Sequence, residues 1–344
     1  MKNKFPVIFS DSATLDAGRV LAATVIFYFH IGLVGRYPLS FYAEYAVEYF
    51  VILSGITYVL FTRIKPSTLA EYFTYLKKRL AALLPAYVLV NVAFYGASFL
   101  YPSALGRPYG FWEFLASATG VSMYFGLKFM STVMWFMPFI LQVYLLLPLL
   151  EWCLRRVHPA VLMLAAFGVS YLATKAVPLF LADWDAINLV CKNWSPIFRL
   201  PEVCVGIVAG KLVENTCGFW KGVCAIVVFA LLSLSTSLLN ASGCLEHFYM
   251  PWSGFLIPVL IFGATGLAWP MLRGFNVKTM RLLGLSSFAF YLIQAAPLGL
   301  VSRRLGDHLA VWIGYYLACW ALAVVLTLAV ARMRNIFEVR PSTA

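Results

Sequence analysis

The sequence predicts an all-α fold: a polytopic membrane helix bundle of about ten transmembrane helices, with both termini on the cytoplasmic side (N-in and C-in). Three observations predict it. Hydrophobic residues make up 62 % of the chain and charged residues 12 %, where a soluble domain has about half and about a quarter. The apolar residues gather in blocks of about 20, the length at which a helix crosses the hydrocarbon core. With the N-terminus inside, 17 lysines and arginines fall on cytoplasmic segments and 8 on the opposite side, Arg19 being counted on neither. That bias is the one the positive-inside rule expects.

Ten apolar segments centre near residues 17–35, 42–62, 80–101, 132–150, 160–180, 198–214, 221–240, 251–272, 283–302 and 310–331. The stretch 111–129 is broken by Gly120 and Gly126 and holds Glu113 and Lys128, so it is expected to be interfacial or re-entrant. If it spans, the count becomes eleven and the C-terminus changes sides. The blocks run nearly end to end. One integral membrane domain is therefore expected over 1–344, with short polar tails at 1–14 and 333–344, no soluble domain and no cleaved signal peptide. Trp112, Trp184, Trp194, Trp252 and Trp312 suit an interfacial aromatic belt.

The net charge of +12 comes from short clusters between apolar blocks, without interleaved aromatics, which excludes a nucleic-acid partner. Cys153, Cys204, Cys224 and Cys319 fall in or at the edges of apolar blocks as packing residues. Cys191 and Cys244 fall in two expected non-cytoplasmic loops, where a disulfide is chemically allowed. No Cys/His group has zinc spacing, so no metal is expected. The two halves of the chain do not resemble each other, which counts against the repeat architecture of many transporters.

The chemistry is expected on the first three helices. Arg19 and His30 lie eleven positions apart on the first. That is three turns plus about 20°, so they share a face, about 16 Å apart along the axis. Asp16, Ala22, Ala23 and Ile26 lie on or near the same stripe. Such a stripe suits an extended ligand with an anionic head and a reactive tail. An arginine in a membrane helix costs about 2.5–3.5 kcal/mol even on the lenient insertion scale, and so faces a bundle interior or a wet cavity. The bland alternative is an interfacial Arg19 that snorkels and pairs with Asp16. For His30 the alternatives are a base that works near neutral pH and a hydrogen-bonded structural histidine. The second helix carries Glu44 and Glu48, the latter inside the apolar run. A buried carboxylate needs a partner, and His30 and Arg19 are the expected ones. Glu48 would then orient the imidazole as in a hydrolase triad, or else form a structural ion pair. Lys77, Lys78 and Arg79 open the third helix. They serve topology and anionic lipid, or grip donor phosphates.

Taken in order along the chain, these residues resemble the acyltransferase-three family of integral membrane acyltransferases. Leu15-Asp16, Arg19 and His30 resemble its first-helix motif, and Val47-Glu48-Tyr49-Phe50-Val51-Ile52-Leu53-Ser54-Gly55 its second-helix signature. Looser likenesses follow at Arg79 to Tyr87, at Trp135-Phe136 through Tyr144 to Pro148, at Arg199-Leu200-Pro201-Glu202 with Gly206 and Gly210, and at Leu283-Gly284 through Ser286-Ser287 to Ile293. Three positions depart from the family pattern. Ala82 stands where a second arginine is frequent, Gln294 where many members have histidine, and Gln142 where many have an acidic residue. Some relatives also carry a C-terminal extracytoplasmic esterase-like domain, which is not expected after the last helix here.

The resemblance implies a multi-pass enzyme of the bacterial cytoplasmic (inner) membrane. It implies an acyl-CoA donor, acetyl-CoA foremost, as a substrate and no bound cofactor. The implied acceptor is a hydroxyl of a lipid-linked or exported glycan. In that reading His30 is the general base, or a nucleophile that carries the acyl group. Glu48 orients it. Arg19, Lys78 and Arg79 hold the donor, or Arg19 stabilises the oxyanion. Asp16, Ser54, Trp135, Arg199 and Glu202 support them. The rival reading is a glycan or lipid transporter or flippase that uses the same intramembrane charges as a path.

Overall fold

A computed structural model of the chain describes residues 12–35, 43, 45–62, 66–100, 109–122, 132–180, 195–214, 219–241, 253–272, 277–294, 301–302 and 308–337. Helix accounts for 92 % of them, and no strand occurs among them. The α-helices are α1 (Ser12–Gly35), α2 (Ala46–Phe61), α3 (Leu69–Leu100), α4 (Phe111–Thr119), α5 (Phe136–Leu154), α6 (Pro159–Phe180), α7 (Leu200–Val213), α8 (Phe219–Ala241), α9 (Ser253–Leu272), α10 (Val277–Gln294) and α11 (Leu309–Phe337), with a 3-10 turn at Thr132–Trp135 before α5.

Each of the ten apolar segments coincides with one long helix, and the boundaries move for local reasons. α3 starts at Leu69, well before its apolar run. Glu71 Oε2 accepts from the backbone N–H groups of Ser67 (2.8 Å) and Thr68 (3.1 Å), while Thr68 Oγ1 accepts from the Glu71 N–H (3.3 Å). This reciprocal cap fixes the first turn in polar sequence. α4 ends at Gly120, whose φ of 76° is the left-handed conformation that stops a helix cheaply. Its nine residues rise only about 14 Å, less than half of a hydrocarbon core of about 30 Å. Residues 123–131, the rest of that stretch, lie outside the described residues.

By length and composition, α1, α3, α5, α6 and α11 can cross a membrane, and shorter apolar helices occupy Ala46–Phe61, Trp220–Thr236 and Leu256–Ala268 among the described residues. α7 is 14 residues long and almost wholly buried among its neighbours. A helix that meets protein on all sides has no need to match the lipid thickness.

Small residues set the tightest packing. α2 and α7 share the most extensive contact in the bundle. A Cβ placed on Gly55 would lie 2.7 Å from the Gly206 carbonyl carbon and the Ile207 nitrogen, and one on Gly206 would strike the Ile52 carbonyl. Only glycine permits this backbone-to-backbone approach, the usual device where apolar burial alone cannot drive helix association in lipid. α1 packs on α10, and α10 on α11. There Phe290 stacks on Trp320 at 4.3 Å, and Phe27 meets Phe290 and Tyr316 at 6.1 and 5.2 Å.

The pairings also give direction. Asp16 abuts Gly284 and His30 faces Gln294, so α1 and α10 run parallel. Glu151 meets Lys211 while Trp135 meets Arg199, so α5 and α7 run parallel too. Arg79 meets Thr62, joining the start of α3 to the end of α2. These directions collect the exposed Lys77, Lys78, Arg155, Arg156, Lys221, Lys278 and Arg281 at one end of the bundle. Cys153, Cys204, Cys224 and Cys319 are free thiols. Cys191 and Cys244 lie outside the described residues.

Candidate active site

A cavity of about 220 Å³ opens between α1, α2, α3, α5 and α10 toward the basic end of the bundle. Arg19 of α1 and Arg79 of α3 both line it, together with Ser54 and Thr57 of α2 and Tyr144 of α5. The remaining wall is largely apolar, with Leu53, Leu83, Phe136 and Ile140. Two guanidinium groups thus share a partly enclosed space with hydroxyls and aliphatic side chains, where charge is screened less than in water.

Arg19 is held within its own helix and Arg79 by residues of three helices. Arg19 pairs with Asp16 three residues earlier. Asp16 in turn presses on Gly284, where an added Cβ would lie 2.7 Å from the Asp16 Cγ. The interfacial snorkelling alternative therefore holds only for the Asp16 pairing, because Arg19 also lines the cavity. Arg79 donates to Thr62 Oγ1 at 3.1 Å and lies 5.4 Å from the ring centres of both Tyr75 and Tyr144. That contact restricts the guanidinium plane. Lys78, one residue earlier and about 100° around the helix, is exposed and does not line the cavity. Ser54 lines the cavity while its hydroxyl donates to the Phe50 carbonyl at 2.7 Å.

His30 is 8 % exposed and does not line this cavity. It sits on the same face of α1, about 16 Å further along, with its ring 5.2 Å from that of Phe29. Between the two, Ala22, Ala23 and Ile26 are buried among apolar side chains, so the stripe is not one continuous groove. The cavity nevertheless follows α10 from Gly284 through Ser287 to Tyr291. It stops one helical turn short of Gln294, the polar side chain that faces His30.

Glu48 is found in an ion pair between helices, the alternative to orienting the imidazole. Its partner is neither His30 nor Arg19 but Arg199, 151 positions later at the start of α7, and both side chains are 2 % exposed. Arg199 in turn lies over Trp135 and Phe139, 5.7 and 5.8 Å from their ring centres. Glu202, one turn after Arg199, is also buried, with Oε2 lacking a hydrogen-bond partner. Glu48, Trp135, Arg199 and Glu202 therefore form one cluster that joins α2, α5 and α7. The physical reason is that a guanidinium cannot shed its charge on burial, so it needs a carboxylate, whereas an imidazole can do without one. Glu44 lies outside the described residues.

The sequence reading missed Thr57, and it named Gln294 only as a departure from a pattern. Polar residues one turn apart on a helix with Ser54, or facing His30 from a distant helix, carry no local signal. Among the described residues no three His, Cys, Asp or Glu side chains gather closely enough to hold a metal ion.

The family model described as "Acyltransferase domain" matches residues 12–332. No curated protein and no solved structure matches the chain. With nearly the whole helical region matched, and with the motif arginine of its first helix opening on the cavity, the chain belongs to the acyltransferase-three family of membrane acyltransferases.

Proposed function

We propose that this protein is a multi-pass O-acyltransferase of the bacterial inner membrane, moving an acetyl group from acetyl-CoA to a hydroxyl of a cell-surface or exported glycan. The observation that carries the reading is the cavity: two arginines at its basic end, an apolar wall, and a far end one turn from the Gln294 and His30 layer. About ten helices span, with both termini inside, because the exposed basic residues gather at the end where α1 and α10 start and α5 and α7 finish.

Arg19 and Arg79 bind phosphate oxygens of the donor through charge-assisted hydrogen bonds. At about 220 Å³ the cavity is smaller than the roughly 300–1,000 Å³ of sites that enclose a whole ligand. It therefore suits the acyl-pantetheine arm, with the nucleotide outside among the basic residues. The arm points along α10 toward His30, and it must part the thin layer made by Ala22 and Ile26 for the thioester to reach the imidazole. A ring nitrogen of His30 takes the proton of the sugar hydroxyl as its oxygen attacks the thioester carbonyl. The carbon–sulfur bond breaks, the leaving thiolate takes that proton from His30, and an ester and a free thiol result.

The experiment compares envelope glycan mass spectra from cells carrying the wild-type gene, no gene, or His30→Ala. An acetyl mass increment that requires the gene and is lost in His30→Ala, with normal membrane insertion, is expected. Full acetylation by His30→Ala sinks the base, and lost export of an otherwise acetylated glycan favours the transporter instead.

A further inference from the structure

Beyond the donor cavity, the end of the bundle away from Arg19 holds a second polar cluster, at the junction of α1, α10 and α11. His30 comes from α1, Gln294 is the last residue of α10, and Trp312 lies in the first turn of α11. All three are buried: Gln294 is 0 % exposed and Trp312 2 %. The Gln294 side chain faces the His30 ring without a well-formed bond, so by hydrogen-bond geometry the His30 Nδ1, both Gln294 amide atoms and the Trp312 indole nitrogen stay unsatisfied. Unsatisfied polar atoms gathered at one helix junction are unusual, since buried polar groups are nearly always satisfied.

The layer is held rigidly. Tyr315, one turn after Trp312, donates its hydroxyl to the Gln294 backbone carbonyl at 2.6 Å, and its ring lies 6.3 Å from the Trp312 ring and 5.9 Å from that of Phe27. The Gln294 backbone is thus anchored while its side-chain amide is left over. Packing alone would have been served better by leucine at this position, because an apolar side chain of similar size leaves nothing unsatisfied.

The geometry points to a binding site for a neutral vicinal diol, the sugar end of the acceptor, built from Gln294, Trp312 and His30. This rests on the acyltransferase reading and adds the place where the second substrate sits. A primary amide offers one acceptor and one donor side by side, which matches adjacent hydroxyls that donate to Oε1 and accept from Nε2. The indole N–H donates only, to a ring or hydroxyl oxygen. The imidazole is then left facing the hydroxyl that is to be acylated.

The test uses the full-length protein in detergent. Saturation-transfer NMR with a panel of methyl hexosides and methyl 6-deoxyhexosides reports the diol site, and calorimetry with CoA reports the donor site. At least one glycoside is expected to bind the wild type. Gln294→Ala and the near-isosteric Gln294→Glu should weaken that binding about tenfold or more, equivalent to one lost hydrogen bond to a buried group. Trp312→Phe, which keeps the ring and removes the N–H, should weaken it less. All three should bind CoA as the wild type does, which separates a lost contact from a lost fold. Unchanged glycoside affinity in Gln294→Ala, or no glycoside bound by the wild type, overturns the site. Should acetyl transfer from acetyl-CoA to the bound glycoside proceed at the wild-type KM in Gln294→Ala, the site falls and the enzyme reading stands. Should the glycoside bind in a Gln294-dependent way with no transfer by the wild type, the site stands and the enzyme reading falls.

Discussion

Replacing Glu48 by glutamine tests what the Glu48–Arg199 pair does. The change keeps the side-chain volume and removes one charge, which leaves the Arg199 guanidinium buried at 2 % exposure over Trp135 and Phe139 with its ionised partner gone. Removing one member of a buried ion pair costs about 3–5 kcal/mol. At about 2 °C per kcal/mol, the lower figure for large domains, the midpoint of thermal unfolding should fall by roughly 6–10 °C. The buried thiols of Cys204 and Cys319 provide the assay, because a maleimide dye reaches them only on unfolding. The double variant Glu48→Met with Arg199→Met removes both charges, and it should recover most of the lost stability because a well-packed apolar pair is often as stable as the ion pair it replaces. If the pair is structural, the double variant also regains acyl transfer. A single Glu48→Gln variant that melts like the wild type, yet has lost transfer, would refute this reasoning and return Glu48 to the chemistry.

Other outcomes follow from named contacts. Arg79→Ala removes a charge-assisted donor and should weaken CoA binding about 10- to 150-fold, measured by calorimetry. Lys78→Ala should weaken it less, about two- to fivefold, since exposed charges contribute little. Gly206→Ala drives a methyl group into the Ile52 carbonyl and should cost about 1–3 kcal/mol or more. Its yield of monodisperse protein should drop, with Gly168→Ala, where nothing lies within 4 Å of an added Cβ, as the matched control. Gly284→Ala pushes on Asp16 and should loosen Arg19, so CoA affinity should fall; unaltered affinity in the folded variant would detach Asp16 from the proposed donor site.

How far the sequence could be read depended on whether the signal was local. Block length and hydrophobicity are local, and each of the ten blocks became one helix. The eleven-residue spacing of Arg19 and His30 is local as well, and it correctly put both on one face of α1. What fills the space between them is a tertiary matter, and Ala22 and Ile26 turned out to be packed rather than open. The partner of Glu48 could not be read, because Arg199 stands 151 residues away and any buried cation satisfies a buried carboxylate. Chain-neighbour reasoning grouped Lys78 with Arg79, but adjacent helical residues point about 100° apart and of the two only Arg79 lines the cavity. Gln294 was visible as an odd residue, but its meaning came only with the imidazole that α1 brings opposite it.

The collar of lysines and arginines around one end of the bundle has a kinetic consequence. CoA is polyanionic, and a ring of like charge near the cavity mouth raises the local concentration of such a ligand and speeds encounter. Ions shorten the reach of that field to about 8 Å at physiological ionic strength and about 3 Å at 1 M. If the proposed reaction holds, added salt should slow donor capture and spare the proton transfer assigned to His30, so the rate at limiting donor should fall steeply with salt and the rate at saturating donor should not. Anionic phospholipid headgroups compete for the same collar, which would make the apparent donor affinity depend on the lipid in which the protein is reconstituted.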